Sequence, residues 1–311
     1  MLKVATNIFN SPPNTGPGNF GRRLAIALES MDVMMRPSHI LPSPDLFLGS
    51  AFLDGYYGNA KATILRIDGA GHLPEQRRVK EAHKAATIVI YQSKYSKNAL
   101  QDFHNYMAPK SYIIHNGVEL LPYQSGGYGA SRFISICNTW NKFRYINFLH
   151  GIYCNLPSIV SALPEFKWTI VGKYQEFKEA MNHCLCTSSD LVEKHIEFVE
   201  FTPKLSQLRA KSTACIHLVQ QDSCPNSVIE SLAEGLPCIV WRESAGPELI
   251  DEDKGGITLN TFDSLEVVKA ITDINNRALW FAANARHIAE EKLDIHIVAQ
   301  QYKQVFEDAM A

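Results

Sequence analysis

Two acids separated by seven residues, Asp222 and Glu230, frame the most chemically suggestive stretch of the chain: D-S-C-P-N-S-V-I-E-S-L-A-E-G-L-P-C-I-V-W-R-E-S-A-G-P-E-L-I, residues 222–250. A glutamate in the first turns of a helix can accept two hydrogen bonds from a ribose diol. The N–H groups of the first turn, which lack partners within the helix, suit the oxygens of a diphosphate. The same letters also allow plainer roles. Ser227-Val228-Ile229-Glu230 fits the S-x-x-E capping box, and Asp222 fits a solvated loop acid.

The flanking elements decide where such groups can stand. Thr213 to Val219 (TACIHLV) is an apolar run of strand length, and Pro237 to Trp241 (PCIVW) is another. Between them Val228, Ile229, Leu232, Ala233 and Leu236 recur at the three-and-four spacing of a helix with one buried stripe, which Gly235 and Pro237 end. Strand, loop, helix, strand is one unit of a parallel α/β sheet. The two acids then fall at the carboxyl end of a strand, where open α/β sheets bind ligands.

Asp-x7-Glu followed by A-E-G-L-P-C-I-V and S-A-G-P-E resembles the E-x7-E signature region of glycosyltransferase family 4, whose members have the GT-B architecture. The family's usual text is E-G-F-G, then E-A-x-A-x-G-x-P-V-V, then G-G-x-P-E. This chain has Asp222 for the first Glu, C-P-N in the G-F-G region and Ala245-Gly246 for the paired glycines. The resemblance implies an α/β fold of two Rossmann-like domains facing across a cleft. It also assigns roles: Asp222 near the transferred sugar, Glu230 at the ribose, and Asn226 and Ser227 at the donor. In N-T-W-N-K-F-R, Asn138 stands where the family has an arginine, and Lys142 and Arg144 bracket its lysine position. Two cations there would neutralise a diphosphate when no metal is used. Gly172 matches the first glycine of the family's I-V-G-x-G. Phe201 and Thr202 open the segment whose main chain lines the nucleobase pocket in that family.

The first half carries fewer matches. Residues 2–9 read as a strand, followed by S-P-P-N-T-G-P-G-N-F-G and a helix from about Phe20 to Ser30. Gly16, Gly18 and Gly21 fit G-x-G-x-x-G in letters, but Asp32 comes too early for the acid of a dinucleotide fingerprint. The resemblance gives Gly16 and Gly18 a place lining the cleft near the donor, and a merely tight turn is the other reading. Residues 45–52 and 63–67 read as strands, the second running into D-G-A-G-H. Asp68 and His72 compete for the position where many family members carry a histidine near the sugar, and an ordinary loop histidine is the alternative. Helices over about 74–86 and 93–106, strands over 87–92 and 111–115, and the N-G-V-E of 116–119, which resembles the family's P-N-G-V-D, complete this half.

The expected organisation is a first domain over 1–119, a linker over 120–130 (LLPYQSGGYGA), a second domain over 131–293 and a terminal helix over 294–311. Length suits this, because 311 residues make two domains of ordinary size. A net charge of −2 gives no electrostatic reason to bind nucleic acid or an anionic membrane. No apolar run approaches the roughly 20 residues of a membrane span, and the amino terminus lacks a signal peptide's apolar region, so a cytoplasmic protein is expected. The seven cysteines, an odd number without a C-x2-C pair, are expected to be reduced thiols with neither a disulfide framework nor a zinc site. The resemblance therefore predicts a retaining glycosyltransferase without metal or other cofactor. It would move a sugar from a UDP- or GDP-linked donor to a saccharide or other hydroxyl acceptor. A nucleotide-sugar epimerase of the same fold, or a non-catalytic nucleotide-binding scaffold, are the alternatives.

Overall fold

The computed structural model describes the chain except for residues 13–14, 54–59, 68, 70–75, 105–107, 109 and 123–126. It divides into two compact units, one of residues 1–119 with 291–311 and one of residues 120–290.

In the first unit β1 (Leu2–Thr6) leads through a short turn to α1 (Gly16–Glu29), followed by β2 (Val33–Pro37), β3 (Leu46–Ser50), β4 (Ala62–Ile67), α2 (Gln76–Ala85), β5 (Ile88–Tyr91), α3 (Lys94–His104) and β6 (Ser111–Ile113). Among the described residues the six strands pair in parallel in the order β2-β1-β3-β4-β5-β6. The inner strands are covered on both faces, so they read as continuous apolar runs; every residue of β4 and β5 is buried. β2 was absent from the sequence reading because V-M-M-R-P lacks β-branched residues after Val33 and ends in proline. Gly16 and Gly18, expected in a loop, lie in the first turn of α1, which Thr15 caps by accepting from the Gly18 N–H.

The second unit contains β7 (Arg132–Thr139), α4 (Lys142–Phe148), α5 (Leu156–Ala162), β8 (Lys167–Lys173), α6 (Gln175–His183), α7 (Ser189–His195), β9 (Ile196–Val199), α8 (Leu205–Ala210), β10 (Ala214–His217), α9 (Asn226–Ala233), β11 (Cys238–Trp241), α10 (Gly246–Leu249), β12 (Gly256–Leu259), α11 (Ser264–Asn276) and α12 (Ala278–Ile288). Its parallel sheet has the order β12-β11-β10-β7-β8-β9, the doubly wound order of a dinucleotide-binding domain. Trp140, Phe148, Trp168 and Phe177 stack under its β7–β8–β9 half. The segment before β7 is docked on this unit: the Gly127 N–H donates to the Ala210 carbonyl, and the Thr213 hydroxyl donates to that of Gly127.

The last helix, α13 (Ile295–Met310), is part of the first unit, where its Val298, Ala299, Tyr302, Val305 and Phe306 are buried in a cluster with Phe20, Leu24 and Leu28 of α1. A pair of main-chain hydrogen bonds between Val118 and residues 293 and 295 ties its start beside the end of the first unit's chain. Among the described residues no helix is long and apolar enough to cross a membrane.

Candidate functional site

In the second unit's strand order the chain reverses direction between β7 and β10, and a crevice forms at such a switch point outside the strands' carboxyl ends. Gly172 closes the neighbouring corner. Its φ is +124°, and a Cβ there would stand 1.7 Å from the Cys137 carbonyl oxygen, so only glycine lets β8 approach β7 this closely. β7 shifts register between Ile136 and Thr139, which turns Asn138 outward as an exposed residue. Asn141 then caps α4 by accepting from the Arg144 N–H. Arg144 turns back toward the strand end, its Nη1 lying 3.6 Å from Cys137 Sγ, and both it and Lys142 are exposed in the first turn.

The strand end of β10 supplies the other half. His217, at the last position of a buried apolar strand, presents Nδ1 at 3.0 Å to Ser227 Oγ and Nε2 at 3.3 Å to Asp222 Oδ2. The second contact misses hydrogen-bond alignment. Asp222 Oδ1 accepts from the Cys224 N–H at 3.3 Å, and the Asp222 carbonyl accepts from the Ala245 N–H at 2.8 Å. Burial works to raise the Asp222 pKa, but His217, the charge of Arg144 and the Cys224 N–H outweigh it and hold the carboxyl below its ordinary range. The Asp222 side chain keeps 23% exposure, enough to meet a ligand.

α9 follows, with Pro225 at its N-cap and no side-chain cap on its first turn. The capping box suggested by S-x-x-E is not formed: Ser227 lies inside the helix and its hydroxyl faces His217. Glu230, one turn on, faces Arg209 Nη1 at 3.4 Å, while Arg209 Nη2 pairs with Glu234 Oε1 at 2.7 Å. Arg209 is almost wholly buried. Desolvation works to lower its pKa, and the two glutamates more than reverse this, so it stays a fixed cation. Gly235 ends the helix in the left-handed conformation, φ +73°.

The structure therefore gathers Asn138, Arg144, Gly172, Asp222 and Ser227 about the ends of β7 and β10, with Lys142 at the start of α4 and Asn226 and Glu230 in the first turns of α9. Phe201 and Thr202 lie apart from them, beyond β9 at the sheet's edge. Phe201 is exposed, and the Thr202 hydroxyl accepts from the Lys204 N–H within its own turn. In the first unit Gly18 is buried, and a Cβ there would meet the Pro12 carbonyl oxygen at 2.1 Å, so its bareness serves packing of the preceding loop. Gly16 is exposed. Asp68 and His72 lie outside the described residues.

Sequence reasoning missed three side chains. His217 and Arg209 organise the two acids, and the signal for His217 was a polar residue at the end of an otherwise apolar strand. Arg66, wholly buried on β4, lies with its guanidinium 4.5 Å from the centre of the Phe20 ring and donates to Asn116 Oδ1 at 2.6 Å.

Two doubly wound units of this kind make the GT-B class of fold, and the comparisons bear that out. HepE of Anabaena, solved in complex with UDP, superposes with a TM-score of 0.75 at 14% identity, over 99% of this chain and 100% of that one. Sucrose-phosphate synthase of Thermosynechococcus elongatus gives the same TM-score and identity over 99% of both chains. S. aureus TarM gives 0.69 at 14% identity; 93% of this chain is covered, which spans only 59% of TarM. No curated protein sequence matches the chain. Residues 151–277, all within the second unit, match the family described as glycosyl transferases group 1.

Proposed function

We propose that the chain is a retaining glycosyltransferase that takes a sugar from a nucleotide diphosphate donor and places it on an acceptor hydroxyl. The observation that carries this reading is the gathering of Arg144 at the end of β7 and Asp222 after β10, at the switch point of a unit that matches group 1 glycosyltransferases, beside a helix start with no side-chain cap and a glutamate one turn along it. In this reading Arg144 and Lys142 neutralise the departing diphosphate, the first turn of α9 adds its N–H groups, and Glu230 holds the ribose diol. Catalysis is then electrostatic and positional, with no carboxylate as covalent nucleophile and no metal required. Asn138, Gly172, Asn226 and Ser227 line the donor, Phe201 and Thr202 flank the base, and Gly16, Gly18, Asp68 and His72 belong to the unit that presents the acceptor. UDP is the favoured nucleotide, since the HepE structures include complexes with UDP and with UDP-glucose.

A second reading, nucleotide binding without turnover, draws on the Asp222 carboxylate, one oxygen of which accepts from the Cys224 N–H while the other faces His217 at the end of β10. Thermal shift with UDP, GDP and ADP, followed by nucleotide release from a panel of nucleotide sugars with and without saccharide acceptors, separates the two. Transfer product supports the first, and tight binding with no release from any sugar supports the second. Failure to bind all three nucleotides sinks both.

A further inference from the structure

Away from the switch point, three sulphurs converge. Cys154 Sγ lies 2.7 Å from Cys186 Sγ and 3.7 Å from Cys184 Sγ, and the latter two are 3.1 Å apart. Two segments bring them together. After α4 the chain widens into a π turn over Leu149–Tyr153, and the Cys154 N–H reaches back to the Leu149 carbonyl at 2.9 Å. Such turns re-aim side chains and occur often at functional sites. Asn155 locks this one by donating to the carbonyls of His150, Gly151 and Phe262. Opposite it, Cys184 ends α6, and the C-L-C turn folds so that Leu185 stands 97% exposed while the cysteines on either side face inward to Cys154. The Thr187 hydroxyl donates to the Tyr153 carbonyl at 2.8 Å and the Tyr153 hydroxyl donates to that of Met181 at 2.9 Å, clamping turn to turn.

We propose that Cys154, Cys184 and Cys186 form a three-thiolate site for a thiophilic d10 cation, zinc being the reference ion. Zinc–thiolate bonds are about 2.3 Å, and a cation at that distance from all three sulphurs stands about 1.3 Å above their plane. Tetrahedral angles space such sulphurs about 3.7 Å apart, as Cys154 and Cys184 already are, so Cys186 swings outward by up to about 1 Å as the ion enters and leaves a fourth position for water or an outside ligand. A structural disulfide needs two sulphurs and leaves no use for the third, whereas a cation uses all three. Binding is not a redox step: each thiol gives its proton to solvent as its sulphur–metal bond forms. The cation would fasten the α6–α7 turn to the far end of the continuous helical rod whose first turn carries Lys142 and Arg144. No C-x2-C pair marks this site in the sequence: one ligand lies thirty residues before the C-x-C pair and only the fold unites them.

The test uses the full chain, reduced with a phosphine and stripped with a chelator, without nucleotide, so that its outcome does not depend on the donor-site assignment. Zinc is titrated against a chromophoric chelator, with cobalt as a spectroscopic reporter of thiolate ligation. One equivalent should bind with release of protons and thiolate-to-cobalt absorption. Cys186→Ser, at an exposed position that the fold does not need, should weaken affinity more than tenfold, and Cys154→Ser should do the same. No uptake by a chain whose seven thiols react as free overturns the proposal. So does uptake unchanged in both variants. A Cys154–Cys186 cross-link, two hydrogens lighter by mass, in a chain that takes up no zinc after reduction overturns it in favour of a redox pair.

Discussion

Glu230 and Asp222 share a signature, yet their surroundings give them different tasks. Glu230 meets Arg209 only at 3.4 Å, and Arg209 retains its closer partner Glu234 if Glu230 loses its charge. Glu230→Gln should therefore leave stability within about 0.5–1 kcal/mol of wild type while weakening ribonucleotide binding about tenfold, roughly 1.4 kcal/mol. Its 2′-deoxy analogue should lose much less. Calorimetric titration of both ligands checks this, and equal losses would remove Glu230 from the ribose. Asp222 is tied into its loop, so its protonation reports on the fold as well as the site. Its pKa in the folded chain lies below the value of about 3.9 expected when unfolded. Ionised Asp222 thus adds stability that is complete above the unfolded value and is lost as pH falls through the folded one. Asp222→Asn keeps an oxygen for the Cys224 N–H but cannot titrate. The stability gap between wild type and this variant should shrink as pH falls below about 4. Urea unfolding across that range measures it; a gap that widens toward acid contradicts the assigned pairing.

The strand ends of β7 and β8 decide whether the side chains of the switch point can meet at all, and glycines separate two ways in which an element can depend on one residue. Gly129 has φ +75° with nothing within 4 Å of a notional Cβ, so Gly129→Ala should cost only the left-handed backbone term, about 1–2 kcal/mol. Gly172→Ala adds a collision with the Cys137 carbonyl that no rotamer relieves, and should cost more than about 3 kcal/mol and weaken nucleotide binding by displacing Asn138. Denaturant midpoints of the two variants test the contrast; equal losses would mean that β8 can withdraw freely. The same distinction explains what the sequence disclosed. The unit from β10 through β11 was legible because its helix has one apolar stripe ended by Gly235 and Pro237, and its strands are buried on both faces. Local pattern suffices for such elements. The capping box that S-x-x-E also allows does not form because Ser227 has its partner in His217, ten residues away, and a contact between elements leaves no local pattern. β2, α6 and α7 escaped for a related reason: β2 has one β-branched residue and ends in proline, and α6 and α7 bury only Phe177, Met181 and His195, too few to write an apolar pattern.

At the scale of the whole molecule, each unit buries its own core, and the last helix belongs to the first unit despite following the second in the chain. Sequence order alone could not reveal that return, since the apolar stripe of α13 says only that it packs, not upon what. The arrangement lets the two units be perturbed separately. Phe306 of α13 is fully buried with Tyr302 and the face of α1 that carries Phe20, so Phe306→Ala should destabilise the first unit by about 3–5 kcal/mol. UDP at a hundred times its dissociation constant should stabilise whichever unit binds it by about 2.7 kcal/mol. For a unit of about 150–250 residues this raises its midpoint by roughly 5–10 °C, at about 2–4 °C per kcal/mol. Scanning calorimetry of the full chain should therefore resolve two transitions. Phe306→Ala should lower one of them, and UDP should raise the other in wild type and variant alike. The transition raised by UDP should also be the one lowered by Gly172→Ala, because both act on the second unit. If UDP instead raises the transition that Phe306→Ala lowers, the nucleotide site belongs to the first unit, and the roles given to Arg144, Asp222 and Glu230 fall together.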